Sequence, residues 1–365
     1  MKIVVVGAGN GGCFTALEYA YQLLGSEIEV ELVYDPDIES ERVGQATFQD
    51  VPFILYRTLG FDWYNNPIHA TPKSGILYEG WGKVNDKWFH PFPADNMAMH
   101  YCPWEMQQYV LNSGYFKVRK SKVLNPQDID ADYIFDCRGK PEDFGEYDEL
   151  KNPTNACILA KPNWDTTNFL WSRHVATPDG WMFVIPTHED SPSHDYCVGY
   201  VYNSHLTSRE DAEKNMLEMV DVKINKHIQY KNYIAKNPIV DDRIFLNGNR
   251  LFFLEPLESS AVQTHILVAR YIFNYIINRT TTARESGDNI LKQIQRIQNF
   301  VLWHYHFGSR YDTPFWNYAK TLSFKDADFN ILLKKIKKDD NKDLKEGYGH
   351  WTQHSIKNWY EGMTR

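Results

Sequence analysis

Apolar residues along this chain follow three regimes: a short run closed by glycines, a long aperiodic aromatic stretch, and a helical end. Residues Lys2–Val6 form a β-branched run that reads as a parallel strand buried on both faces. Gly7-Ala8-Gly9-Asn10-Gly11-Gly12 follows at once. Apolar positions then recur at Cys13, Phe14, Leu17, Ala20, Tyr21 and Leu24, one face of a helix, with Gly25 as its stop. Alternation through Ile28, Val30 and Leu32 predicts a second strand. The unit is complete: strand, glycine turn, helix, strand.

Between Gly44 and Ala98 the chain is rich in aromatics, Pro and Gly, and the helix predicted at Val51–Leu59 is its one periodic segment. So many large apolar residues predict loops layered over a site rather than a disordered linker. Tyr133–Asp136, Trp181–Pro186 and Tyr196–Tyr202 read as further strands. From Ala261 the pattern turns helical. Ala261–Arg279 is almost wholly apolar, and Asp288–His304 is amphipathic through Ile290, Leu291, Ile294, Ile297 and Val301. The expectation is an α/β fold: a Rossmann-like box with a β-sheet region and covering loops over 1–260, and a largely helical part over 261–365.

Composition mostly excludes. The 365 residues are 43% hydrophobic and 24% charged, enough for one large domain or two closely packed ones. A formal charge of −8 offers no basic face for nucleic acid. The run Lys334–Lys338 is followed by Asp339 and Asp340 and reads as a solvated helix end. Ile266–Ile277, the longest greasy stretch, is broken by Arg270 and Asn274, so no membrane span is expected. Cysteines 13, 102, 137, 157 and 197 are scattered without a CxxC pair, arguing against a disulfide scaffold or structural zinc. With no leader pattern at the start, a cytoplasmic protein is expected.

Gly7, Gly9 and Gly12 have GxGxxG spacing in the position where it carries chemistry, between a strand and a helix. The first allows the tight turn, the second lets backbone approach a pyrophosphate, and the third lets helix meet strand. The helix N-terminus then offers unpaired N–H groups to phosphate. An acidic ribose partner is expected where the second strand ends. Tyr34 stands there and Asp35 is next, so either the register slips by one or the ribose is held otherwise. The motif alone does not separate FAD from NAD.

Four further segments narrow the choice. They are Val43-Gly44-Gln45-Ala46-Thr47, Gly180-Trp181-Met182-Phe183-Val184-Ile185-Pro186, Leu254-Glu255-Pro256-Leu257-Glu258-Ser259-Ser260, and Phe307-Gly308-Ser309-Arg310-Tyr311-Asp312-Thr313-Pro314-Phe315-Trp316. In this order they resemble the VGEAT, GWxWxIP, EPLEST and DTPFW segments of the flavin-dependent tryptophan-halogenase family. Asp136-Cys137-Arg138-Gly139 echoes that family's DCSG. Gln45 replaces a glutamate and Phe183 a tryptophan.

The resemblance implies an FAD-binding box with the helical end forming a pyramid over the substrate site. It also implies an enzyme that uses FADH2, dioxygen and a halide, chloride or bromide for example, to make hypohalous acid. A lysine guides that oxidant to an electron-rich aromatic ring. Lys73 matches the lysine, and Glu258 matches a glutamate that polarises the oxidant and takes the leaving ring proton. Read without the resemblance, Glu258 is a cap for the helix that follows. Val43, Gly44, Gln45, Ala46, Trp181, Ile185 and Ser259 join the glycines, Asn10 and Asp35 as cofactor-site candidates. The Ser260 and Ala261 amides are the halide candidates. Trp181 and Phe183 are expected to wall flavin from substrate. His90 and Phe92 resemble the pair that sandwiches the substrate ring, and Trp351, Trp359 and Tyr360 the substrate-binding end.

The paired tyrosines and acidic run of that end are missing or altered, which points to a different substrate, an indole, phenol, pyrrole or similar ring. A separate flavin reductase is the implied partner, and the oligomeric state stays open. His304 and His306, two apart on a helix, point to different faces, so a metal is not expected. A monooxygenase of the same fold and an inactive flavin-binding protein remain the competing readings.

Overall fold

The computed structural model describes residues 1–92, 97–322, 326–337 and 347–364. Lys2–Val6 lies at the centre of a five-stranded parallel sheet, with Glu29–Tyr34 and then Lys117–Lys120 on one side, and Tyr133–Asp136 and then Ile244–Leu246 on the other. A strand flanked on both edges and covered on both faces must be apolar throughout, which is why this run carries no alternation. The helix Asn10–Gln22 returns the chain to the next strand, starting one turn before its first apolar residue and ending before Gly25. The glycine segment leaves no room for side chains at Gly7, Gly11 and Gly12. A Cβ on Gly7 would sit 2.3 Å from the Cys137 carbonyl oxygen, and one on Gly12 would sit 1.8 Å from that of Gly7.

A second sheet has seven strands in the order Val222–Gln229, Ala156–Pro162, Val198–Tyr202, Gly180–Val184, Ser172–Thr177, Gly75–Glu79, Lys87–Pro91. The last two correct the sequence expectation, which had this region as loops. Lys87–Pro91 does alternate, burying Trp88 and His90 while exposing Lys87, Phe89 and Pro91. A histidine in the inward set hides the period from an apolar count. Thr71–Lys73 and Gln45–Ala46 flank Ala98–Tyr101 in a small antiparallel sheet that was likewise unread.

The helix Ala261–Ile276 ends before Arg279, which takes a left-handed φ of 54°. The following helix, Ala283–Phe307, starts earlier than expected because Thr282 and Glu285 form a capping box. Thr282 Oγ1 accepts from the Glu285 amide at 3.2 Å, and a Glu285 carboxylate oxygen accepts from the Thr282 amide at 2.8 Å. Lys334 and Lys335 are exposed near the end of the helix Ala327–Lys337, whereas Lys338, Asp339 and Asp340 lie outside the described residues. No described helix is long and apolar enough to cross a membrane.

Buried charge ties the helices to the box. Glu18, on the first helix, bonds Arg57 and Arg270, and Arg270 also reaches Asp50 at 2.7 Å. Three helices, Asn10–Gln22, Asp50–Leu59 and Ala261–Ile276, are thereby held together.

Candidate active site

The helix Asn10–Gln22 has Gly9 as its N-cap, with no side chain satisfying the first amides. A Cβ placed on Gly9 would meet nothing within 4 Å. Between two glycines whose surroundings are closed, this one faces open space beside unpaired N–H groups, which fits a pyrophosphate. Asn10 Oδ1 accepts from the Tyr101 hydroxyl at 2.8 Å. Tyr34 is the last residue of its strand, so Asp35 stands one position beyond it, and its Oδ1 accepts from the Asp37 amide at 3.0 Å. Val43–Ala46 runs on toward Ile185, whose Cγ2 would lie 3.5 Å from a Cβ on Gly44. Tyr101, which bonds Asn10, stands across from Gln45 in the small sheet, so this segment links the glycine turn to Ile185.

Lys73 is completely buried at the end of the short strand Thr71–Lys73. Its Nζ lies 3.4 Å from the Thr47 carbonyl oxygen, 3.4 Å from Ser259 Oγ, and 5.1 Å from the centre of the Phe92 ring. Burial lowers its pKa to about 7, against the opposing pull of the Glu258 charge.

Glu258 and Ser259 both take left-handed backbone, with φ of 71° and 54°. Two such residues in succession turn the chain sharply into Ser260, the N-cap of Ala261–Ile276. The turn carries the Glu258 carboxylate away from that helix, which has no side-chain cap, so the capping role is set aside. Instead, Oε1 accepts from the Tyr78 hydroxyl and lies 2.8 Å from His304 Nε2, and Oε2 accepts from Trp351 Nε1 at 2.9 Å. Burial alone would raise this carboxyl, but the bond and charge of His304, with help from His90 and Tyr78, hold it below the usual range.

The inner face of the seven-stranded sheet forms the opposite wall. His174 stands directly across from Tyr78 on one side and Phe183 on the other, and Tyr78 across from Trp88. Trp181 shares this face, its ring 5.0 Å from His174 and 6.0 Å from Phe183. Tyr78 stacks on Trp88 at 4.1 Å. Burial pushes His90 down to about 4, His174 to about 3 and His100 well below its usual range, so all three are neutral imidazoles at neutral pH.

The sequence candidates do not all converge. Phe92 meets Lys73, and Trp351 meets Glu258. His90 is edge-on to Phe92 at 6.2 Å and is tied through Nε2 to Ser355 Oγ at 2.9 Å. Trp359 is buried behind His304, 5.0 Å from its ring, and Tyr360 packs farther out on Phe307. Tyr78, Phe48 and His304 were missed. His304 had been weighed only as a metal ligand, yet it continues the buried stripe of Ile290, Ile294, Ile297 and Val301, and that spacing marks it as inward-facing. His306 points outward against Trp303. Among the described residues no three His, Cys, Asp or Glu side chains gather as a metal site.

Comparison with known proteins identifies the family. The family model for tryptophan halogenase matches residues 2–139 and 153–356. Tryptophan 6-halogenase SttH of Streptomyces toxytricini is 22% identical over 438 aligned positions, covering 89% of this chain and 82% of the relative. Tryptophan 7-halogenase RebH of Lentzea aerocolonigenes is 24% identical over 431, covering 89% and 80%. Among solved structures, a tryptophan halogenase from Shewanella frigidimarina superposes with a TM-score of 0.80 at 18% identity, over 100% of this chain and 89% of the other. BrvH, a flavin-dependent halogenase from Brevundimonas sp. BAL3, gives 0.77 at 18% identity over 99% and 89%. This chain belongs to the tryptophan halogenase family, whose members are flavin-dependent enzymes.

Proposed function

We propose that this halogenase delivers hypohalous acid through Lys73 to a small electron-rich aromatic ring, with Glu258 taking up the ring proton. The observation that carries this reading is that Lys73 and Glu258 are both buried, and that Ser259, the residue next to Glu258, is in reach of Lys73 Nζ. Reduced FAD with dioxygen, when bound, supplies the oxidising power that converts halide to hypohalous acid. Gly7, Gly9, Asn10 and Gly12 would hold its pyrophosphate, and Val43–Ala46 with Ile185 its ring end.

The remaining work falls to side chains and amides. The Ser260 and Ala261 amides follow the double left-handed turn and are suited to a halide, because they open a helix that no side chain caps. Trp181 and Phe183 would keep flavin and substrate apart, so that only the small oxidant passes. Lys73, poised near neutrality by burial, can hold hypohalous acid by hydrogen bonds or take the halogen onto its amine. Transfer of the halogen to a ring carbon displaces hydroxide, and the carbon's proton passes to a carboxylate oxygen of Glu258. A carboxylate offers about four lone-pair sites, and Tyr78, His304 and Trp351 take three. Among the described residues nothing takes the fourth, on Oε2.

The substrate class follows from what lines the chamber. Phe48, Phe92 and Trp351 present flat apolar faces, Phe48 lying 6.4 Å from Phe92 and 6.2 Å from Trp351. These suit an indole, phenol or pyrrole ring. A separate flavin reductase would provide the reduced cofactor.

The test is turnover of indoles and phenols with FAD, a flavin reductase and NADH, with chloride, bromide and iodide supplied separately and products read by mass. A halide-dependent mass shift supports the reading. Oxygen addition without halogen, with flavin bound, would overturn it in favour of a monooxygenase.

A further inference from the structure

We infer that His304 is the counter-ion of Glu258 and that, by holding this carboxylate, it leaves Lys73 without one. The inference deepens the proposed role of Lys73 and rests on it for its catalytic meaning, but not for its test.

Two buried groups of opposite character share the chamber and yet do not pair. The neighbours of Lys73 Nζ are a carbonyl oxygen and a hydroxyl, each at 3.4 Å. The Glu258 oxygens are occupied by Tyr78, His304 and Trp351. A buried carboxylate ordinarily takes the nearest cation, because an unpaired charge away from water is costly. Here the partner is an imidazole delivered from the helix Ala283–Phe307.

Hydrogen-bond accounting gives the charge of that pair. His304 Nδ1 lies 2.8 Å from the Phe300 carbonyl oxygen, which can only accept, so Nδ1 carries a hydrogen. Nε2 lies 2.8 Å from Glu258 Oε1. A hydrogen must also lie on that line, and because the Glu258 carboxyl is held below its usual range it rests on Nε2, giving an imidazolium–carboxylate pair that is neutral overall.

Among the described residues no other facing group restores the missing negative charge. His90, His100 and His174, on three different strands, are neutral imidazoles, and burial holds the Tyr78 phenol well above its usual range. His354, from the helix Gln353–Thr364, faces His90. Among the described residues Lys73 therefore faces one carboxylate, and that carboxylate is already paired with His304. This is the condition under which a lysine becomes a reactive amine near neutral pH. His304 is thus a positioning residue that acts through Glu258.

The test is a pH titration of the full-length chain without cofactor, carrying lysine labelled with carbon-13 at Cε and followed by NMR. Lys73→Met identifies the Lys73 resonance. In His304→Gln a donor to Glu258 is kept and the charge is lost, and in His304→Phe both go. The freed carboxylate should turn to Lys73 and raise its midpoint by about 1–3 pH units in both variants. Adding Glu258→Gln to His304→Gln should return it. In the holoenzyme, the acid limb of kcat/KM for halogenation should move alkaline with the midpoint.

An unchanged midpoint in His304→Gln, or a rise confined to His304→Phe, would overturn the inference, because geometry rather than charge would then be at work. If His304→Phe does not fold, the Gln variant and its double mutant decide alone. Should the wild type fail to halogenate any ring, the proposed function falls, while the titration still decides the counter-ion.

Discussion

Lys73 Nζ and Ser259 Oγ lie 3.4 Å apart although 186 positions separate them in the chain. The short strand that carries the lysine and the left-handed turn that carries the serine come from distant parts of the chain. Their contact brings the lysine beside the segment that also presents Glu258 and the Ser260 amide. Four expected outcomes follow from this arrangement.

Lys73→Met should abolish halogenated product while flavin binding and free hypohalous acid persist. The loss should be about 100-fold or more, read as product per flavin oxidised with a chemical trap for the escaping oxidant. The same variant should be more stable. A group whose folded pKa lies near 7, below its usual value, burdens the fold most when protonated, and the burden shrinks as pH rises toward the unfolded pKa. The gain from Lys73→Met should therefore be on the order of 1–4 kcal/mol at or below pH 7 and diminish in alkali, as urea melts would report. Unchanged product yield would remove the role given to Lys73.

Glu258→Gln keeps the shape of the side chain but weakens proton uptake. General-base loss of this kind costs about 10²–10⁴ in rate. A near-wild-type kcat would reduce Glu258 to a structural hub for Tyr78, His304 and Trp351.

The glycine turn separates folding from binding. Gly12→Ala should fail to fold properly, since its Cβ would lie 1.8 Å from the Gly7 carbonyl oxygen. Gly9→Ala should fold with nearly unchanged stability, because its φ of −71° suits alanine and nothing lies within 4 Å. Its FAD affinity should nevertheless fall, measured by flavin fluorescence. Equal affinity would mean that the pyrophosphate does not pass over Gly9.

Glu18→Ala should destabilise the protein by about 3–5 kcal/mol by leaving Arg57 without its buried partner and weakening the tie to Arg270. Activity per folded molecule should hold, since none of these groups reaches the chamber. A small change in the urea midpoint would show that solvent already shares the network.

Much of the box was legible in the sequence because its determinants are local. A run of β-branched residues, three spaced glycines and an amphipathic helix each act on consecutive residues, so Lys2–Val6, Asn10–Gln22 and Tyr133–Asp136 were located to within a few positions. The capping box at Thr282 was equally local and was passed over, which cost the first turn of the long helix. The strands between Thr71 and Tyr101 were missed for a different reason. Their inward positions include Lys73, His90 and His100, polar residues that a hydrophobic period does not count.

The motifs named Lys73 and Glu258 from sequence alone, but not their relation. Only tertiary structure decided that the two do not pair and that Glu258 is held by Tyr78, 180 positions away, and His304, 46 away. Such contacts are chosen by packing between distant elements, since burial excludes water and each polar atom must then find a partner among whatever side chains the fold brings near. The sequence by itself determined the nucleotide-binding unit and the residue types of the site. Which charge answers which was determined by the packing of the sheet against the long helix.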